Sequence, residues 1–317
     1  MKKILKITGI IILIVVLAIV LIPFAFKGKI SEAILTKAHK NVNAEISYRS
    51  FQLSLIKSFP DLNASFNDVA VVGIDDFEGD TLIAFERLSA QVDARSVFGD
   101  EGLLIKSLRI DKALMHLIQE ESGNVNWLIS NAGEPEAEKE NEHKKEPLKL
   151  QLSDIVVIDF DFTYHSKKYN YLFSASNIDG VMSGKTEGMD ALLAIEAATP
   201  SVNLEYDSVR YITNSALNLS TQLDADLERY NFIFRSGKSH INGMPVDLDG
   251  GFSMSGDSML FDVDFNVPEI DVHQVLSIIP DAFQKYMKDI EATGNVDFGG
   301  NVKGAYFDDI YPGMDIG

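Results

Sequence analysis

Ile158-Asp159-Phe160-Asp161-Phe162-Thr163-Tyr164 carries large apolar side chains on one parity and Asp159, Asp161 and Thr163 on the other. Successive side chains of a strand point to opposite faces, so the stretch reads as a β-strand with one greasy and one wet face. The same arithmetic holds for Leu217, Leu219 and Leu223 with Ala225, for Phe232 and Phe234, for Val246, Leu248, Phe252 and Met254, and for Phe261, Val263, Phe265 and Val267. Asn242-Gly243, Gly250-Gly251 and Ser255-Gly256-Asp257 supply turn signals between these runs. The economical fold is mainly β, an antiparallel meander with a few short helices.

Working upstream, Phe51 to Ile56, Val69 to Val72, Leu103 to Ile110 and Leu114 to Ile118 are short apolar runs that also read as strands. Ile30, Ala33, Ile34 and Ala38 recur at helical spacing and predict a short helix. Residues 131–147 are almost free of apolar side chains and bracketed by proline, the composition of a flexible acidic linker. Downstream, Asp271 is placed to cap a helix starting at Val272, with Gln274 completing a capping-box-like pair and Val275, Leu276 and Ile279 as the apolar face. Pro280 kinks that helix or opens another carrying Phe283, Tyr286 and Met287. The expected organisation is an anchor over 1–27, a helix-plus-strands module over 28–130, the linker, and a meander over 148–317 with a helical insertion near 271–288.

Ile7 to Phe26 contains no charged side chain. At 1.5 Å per helical residue a run of this length matches the roughly 30 Å hydrocarbon core of a bilayer. Ile7, Ile14, Leu21 and Phe26 mark its length, and apolar residues on every face argue against a surface helix. Lys2, Lys3 and Lys6 precede the run, which favours a cytoplasmic amino terminus and a body outside the cytoplasm. A cleaved secretory signal is the competing reading, but no A-x-A-like site follows Pro23.

The chain has a formal charge of −19, yet its first 30 residues hold five lysines and no acid. The remaining surface repels phosphates, which speaks against nucleic-acid binding. The absence of cysteine excludes disulfides, thiolate catalysis and cysteine-based metal sites. The six histidines, His39, His116, His143, His165, His240 and His273, stand singly without an H-E-x-x-H pattern. Ser54-Leu55-Ile56-Lys57 satisfies S-x-x-K, but Lys185-Thr186-Glu187 is not the K-T-G partner it needs. Asp247-Leu248-Asp249-Gly250 lacks the third acid and the terminal glutamate of a calcium loop and reads as outward aspartates before a turn. Trp127 reads as a buried aromatic closing the Gly123 turn. No enzyme activity and no cofactor are expected.

Ordered motifs along the chain add a resemblance. Phe59-Pro60-Asp61-Leu62 is followed by Val69 to Gly73, then by Ile105-Lys106-Ser107-Leu108-Arg109-Ile110 and Gly123-Asn124-Val125-Asn126-Trp127; later come Leu276-Ser277-Ile278-Ile279-Pro280, Gly294, Val302-Lys303-Gly304 and Tyr311-Pro312. In this order they resemble the AsmA-like family of bacterial envelope proteins, particularly its members from Bacteroidetes-type bacteria. The resemblance implies an inner-membrane anchored periplasmic protein with a long, curled β-sheet groove, linked to outer-membrane assembly and phospholipid movement. Family members are commonly longer, so a fragment or a short member is expected.

If a strip of strands curls around its apolar face without closing, that face becomes a trough. An acyl chain in it gains about 0.8 kcal/mol per buried methylene. The expected lining is Phe160, Phe162, Phe232, Phe234, Phe252, Phe261, Val263 and Phe265. The alternative is a β-sandwich with a closed core, whose strands alternate in the same way. That reading makes the protein a membrane-tethered scaffold for envelope proteins.

Overall fold

The computed structural model describes residues 42–55, 58–98, 104–129, 149–187, 189–235, 237–255, 258–277, 293–307 and 312–317. Strands dominate them, helices are few and short, and the strand pairings are antiparallel. The chain divides into two units, Met1–Ile110 with Leu128–Leu150, and Asp111–Trp127 with Gln151–Gly317.

In the first unit, β3 (Leu62–Val72) pairs along one edge with both β1 (Glu45–Ser47) and β2 (Ser50–Ser54), and along the other with β4 (Thr81–Val92). A short helix, α1 (Ala94–Phe98), leads towards β5 (Leu104–Gln119), whose residues up to Ile110 belong to this unit. Phe51, Leu62, Leu82 and Val92 are buried, and Phe51 packs 4.7 Å from Phe66. Two of the sequence motifs meet here. Asp61, buried at the start of β3, accepts hydrogen bonds from Gln91 Nε2 and Lys106 Nζ, both at 2.8 Å, and Lys106 also reaches Asp93 at 2.8 Å. The Lys106 ammonium holds the Asp93 carboxyl below its usual range, and the two carboxylates hold the lysine above its own.

The second unit takes β5 from Asp111 onward and adds β6 (Lys149–Ser166), β7 (Tyr171–Glu187), β8 (Asp190–Tyr206), β9 (Val209–Asp226), β10 (Asn231–Arg235), β11 (Ser239–Ile241), β12 (Met244–Ser255), β13 (Ser258–Asp271), α2 (Val272–Ser277), β14 (Asn295–Tyr306) and β15 (Gly313–Ile316). Strands β6 to β10 and β12 to β15 follow one another in the sheet, with β11 bridging β9 and β12. This is the expected meander. Asp271 caps α2, accepting the His273 N–H at 2.8 Å, as its sequence position predicts.

A line of bulges crosses β6 to β9. Asp159, Asn177 and Asn214 have φ of 56°, 52° and 47°, and register shifts fall at Val157/Phe160 and Thr199/Val202, the latter spanning Pro200. Asn and Asp tolerate this backbone because their short side chains bond to it locally. The Asp159 N–H donates to Asp179, the Asn177 side chain to Asp159, the Asn214 N–H to Asn203, and the Ala216 N–H to Asn242, at 2.7–2.9 Å. Each bulge inserts one residue, bends its strand and increases the local twist, while returning the apolar parity to the same face.

The bulges also correct the sequence reading. Val157, not Ile158, falls in register with Gly180, Ala197 and Leu219 on the phenylalanine face, because Asp159 is the inserted residue. Gly250-Gly251 is not a turn. It lies inside β12, where Gly250 pairs with Phe234 and Val263, and so Asp247 and Asp249 sit in mid-strand rather than before a turn. The runs at 103–110 and 114–118 form one strand, β5. Asn242-Gly243 is a turn, with φ of 52° and 79°. Among the described residues no helix is long and apolar enough to cross a membrane. The run Ile7 to Phe26 lies outside them, as do the expected helix at 30–38, the linker at 131–147 and the stretch holding Pro280, Phe283, Tyr286 and Met287.

Candidate functional site: an apolar trough

Register sets the apolar side chains of the second unit in rows that cross the strands. Ala191, Ala225, Phe232, Phe252, Phe261 and Gly304 are successive partners from β8 to β14. Alongside run Leu193, Leu223, Phe234, Gly250, Val263, Val302 and Met314, then Leu248, Phe265, Gly300 and Ile316. On the β6 side, Phe160 faces Ile178 and Phe162 faces Ala175, which in turn faces Val202. All of these positions share one face of the sheet.

The structure gathers most of the expected lining residues into two aromatic groups. Phe162 lies 6.4 Å from Phe160 and 6.0 Å from Phe173, while Phe252 stacks on Phe232 at 4.9 Å and meets Phe261 at 6.2 Å. Phe234, Val263 and Phe265 extend the second group, and the Phe265 ring lies so close over Gly300 that a Cβ there would fall 2.7 Å from it. Phe160, Phe162, Phe232, Phe234, Phe252, Phe261, Val263 and Phe265 are all half-buried. A facing layer of protein would have sealed them.

Among the described residues such sealing is seen beneath one helix. Under α2, Met244, Val246, Val267 and Ile270 form a buried cluster with Leu248, Val275, Val296 and Phe298 packed against it. Beyond that cluster the eight expected lining residues keep their partial exposure, while Ala175, Ala191, Val202 and Ala225, set among them on the same face, are buried.

Tyrosines border the same face: by register Tyr164, Tyr171 and Tyr306 share it with the phenylalanines, and the Tyr164 and Tyr171 rings lie 5.7 Å apart. Burial pushes the Tyr171 phenol up, and the phenols of Tyr164 and Tyr306 push the same way.

Alternation alone does not single out Tyr171, Phe173, Leu193 or Val302 as part of this surface. Their strands mix large residues with Ala and Gly at the inner positions, as in Phe173, Ala175, Ile178 and Gly180, which lowers the contrast between the two parities. Other sequence candidates stay apart. His116, His165, His240 and His273 sit on β5, β6, β11 and α2, His39 and His143 lie outside the described residues, and among those described no three His, Asp or Glu side chains converge as a metal site. Ser54 ends β2 and Lys57 lies outside the described residues. Trp127 is half-buried, 5.9 Å from Tyr164. The residue beside it, Asn126, does the closing: buried at 3% exposure, it accepts the Ile118 N–H at 2.9 Å and donates to the His116 carbonyl at 2.8 Å.

No curated protein and no solved structure matches the chain. A family model described as the AsmA family matches residues 1–244, most of the chain and all of the strands up to the start of β12. The motifs it spans include the buried Asp61, its partner Lys106 and the strand-closing Asn126, and on that match the chain belongs to the AsmA family.

Proposed function

We propose that this protein is anchored in the bacterial inner membrane by Ile7 to Phe26, carries its β-sheet body in the periplasm, and holds phospholipid acyl chains in the trough of its second unit, so supporting the outer membrane without enzymatic chemistry. The carrying observation is the partial exposure of the phenylalanine rows, which share one face of the sheet. Membership of the AsmA family supports an envelope role. Solvation of hydrocarbon needs no catalytic group: each methylene moved from water into the trough contributes about 0.8 kcal/mol, so a chain of a dozen or more gains on the order of 10 kcal/mol before ordering costs. Headgroups remain at the open side, and the wet outer face, rich in Asp, keeps the sheet soluble.

The test is mass spectrometry of lipids co-purified with the full chain in mild detergent, set beside Phe265→Asp. Wild type should retain phospholipid and the variant should lose most of it, because a carboxylate in the lining opposes hydrocarbon contact. Photo-crosslinkers at Phe162, Phe234 and Phe265 in cells should give lipid adducts. Protein adducts alone at all three positions would replace this reading with that of a scaffold.

A further inference from the structure

On the wet face of the second unit several exposed apolar positions break the alternation, Leu172 and Val181 of β7 and three that gather towards one end of the sheet. Leu192 of β8, Ile233 of β10 and Leu260 of β13 point away from the phenylalanine rows and are 58%, 38% and 47% exposed. Register sets Leu192, Asp224, Ile233, Gly251 and Asp262 in one row, with Leu260 in the next row of the same face, opposite Ser253. The apolar surface continues around the strand ends through Met189, Leu227 and Tyr230, all exposed, and the Leu227 N–H donates to the Met189 carbonyl at 2.9 Å. Single exposed apolar residues are ordinary; six together at one end of a sheet mark a contact surface. Over Gly251, between Ile233 and Leu260, lies an open depression of about 630 Å³ that is also lined by Asp262, Asp264 and Lys303.

The charge around it is predominantly negative. Asp190, Asp224, Asp226, Asp249, Asp262 and Asp264 face Arg229, Arg235 and Lys303, and two of these cations are already engaged, Arg229 with Asp226 at 3.4 Å and Lys303 with Asp262 at 2.5 Å.

We infer that this outer face docks a basic amphipathic helix of a partner protein. The strands beneath are interior to the sheet and already paired on both sides, so addition of a partner strand has no free edge to use. Leu192, Ile233 and Leu260 lie on strands that are successively two pairings apart, about 9.6 Å, close to the 10.5 Å between residues i and i+7 of a helix. A helix laid across the strands brings one apolar side chain over each of them and one into the depression above Gly251. Its lysines and arginines then meet Asp224 and Asp264. The inference does not depend on what the trough holds, because it uses the opposite face.

The test places a photo-crosslinking residue at Ile233, and as a control at the exposed Asp154 of β6, in the full chain in detergent micelles. The probes are an 18-residue leucine–lysine amphipathic helix, the same pattern in leucine and glutamate, and the leucine–lysine peptide with a central proline. The expected result is at least tenfold more adduct at 233 than at 154 with the basic helix, falling at least tenfold with either other peptide, in Leu192→Ser/Leu260→Ser, and in Asp224→Asn/Asp264→Asn. The trough variant Phe265→Asp should leave the adduct unchanged even where it strips bound lipid. Equal adduct at 233 and 154 would reduce the effect to general attraction between a polycation and an acidic chain and overturn the inference. Undiminished adduct with the proline peptide or in Leu192→Ser/Leu260→Ser, or loss in Phe265→Asp, overturns it as well.

Discussion

Replacing Phe252 by aspartate and, separately, Val267 by aspartate puts the same carboxylate on the same face of the sheet under different cover. Phe252 is half-buried between Phe232 and Phe261, whereas Val267 is 3% exposed in the cluster beneath α2. Full burial of a phenylalanine side chain is worth about 1.5–3 kcal/mol and each aromatic neighbour about 0.5–1.5. A half-covered ring with two neighbours therefore contributes about 2–4 kcal/mol, which Phe252→Asp forfeits. The new carboxylate stays hydrated from the trough side and adds little to that cost. At Val267 the lost side chain is worth only about 1.5 kcal/mol, but an unpartnered carboxylate in a dry cluster costs several more. Val267→Asp should thus cost about 5 kcal/mol or more, comparable to the whole stability of many domains. Urea denaturation of the full chain in micelles, followed by the fluorescence of Trp127, reads this unit selectively, since Trp127 is the only tryptophan and belongs to it. Phe252→Asp should keep a cooperative transition at a lower midpoint while Val267→Asp loses it. If Phe252→Asp abolishes the transition just as thoroughly, the phenylalanine face is sealed and the trough does not exist.

Three further outcomes follow from the contacts described. Asn126→Ala leaves the Ile118 N–H and the His116 carbonyl without their side-chain partner and should cost about 1–3 kcal/mol, with a red-shifted Trp127 emission as the check. Gly300→Val must displace the Phe265 ring and crowd the Asp315 carbonyl on β15; a loss of about 1–3 kcal/mol is expected, and an unshifted denaturation midpoint would contradict the packing. In the first unit, Asp93 is held below its usual value of 3.8, so its contribution is present above that value and fades as pH falls through the folded one. Lys106 is held above 10.5, so its contribution is present below that value and fades as pH rises through the folded one. Protection of the first unit against limited proteolysis should therefore be flat across neutral pH and decline towards both extremes, and Lys106→Met should lower the plateau and blunt both declines.

The meander and its greasy parity were legible because Phe232, Phe252, Phe261 and Phe265 are large, frequent and strictly alternating. Where the sequence misled, the cause was local. Gly250-Gly251 carries the composition of a turn, yet it serves close strand approach: a Cβ on Gly251 would strike the Phe232 carbonyl on β10. Ile158 fits the alternation by counting but loses its place because Asp159, with an amide that finds Asp179, is the inserted residue of a bulge. Counting parity cannot detect an insertion. The tie between Asp61 and Lys106 was equally hidden, because 45 positions separate them and only the pairing of β3 with β4 and the approach of β5 bring them together.

From β6 to β15 the strands bond to neighbours made immediately or very shortly before them, with no strand waiting for a distant one. Such a chain has short loops to close and can zip in the order in which it is synthesised. Each arriving hairpin covers the bare edge left by its predecessor and exposes one of its own, so the sheet grows like a zipper pulled from one end. A ribosome stall would therefore leave a shorter sheet with one unsatisfied edge rather than a collapsed tangle.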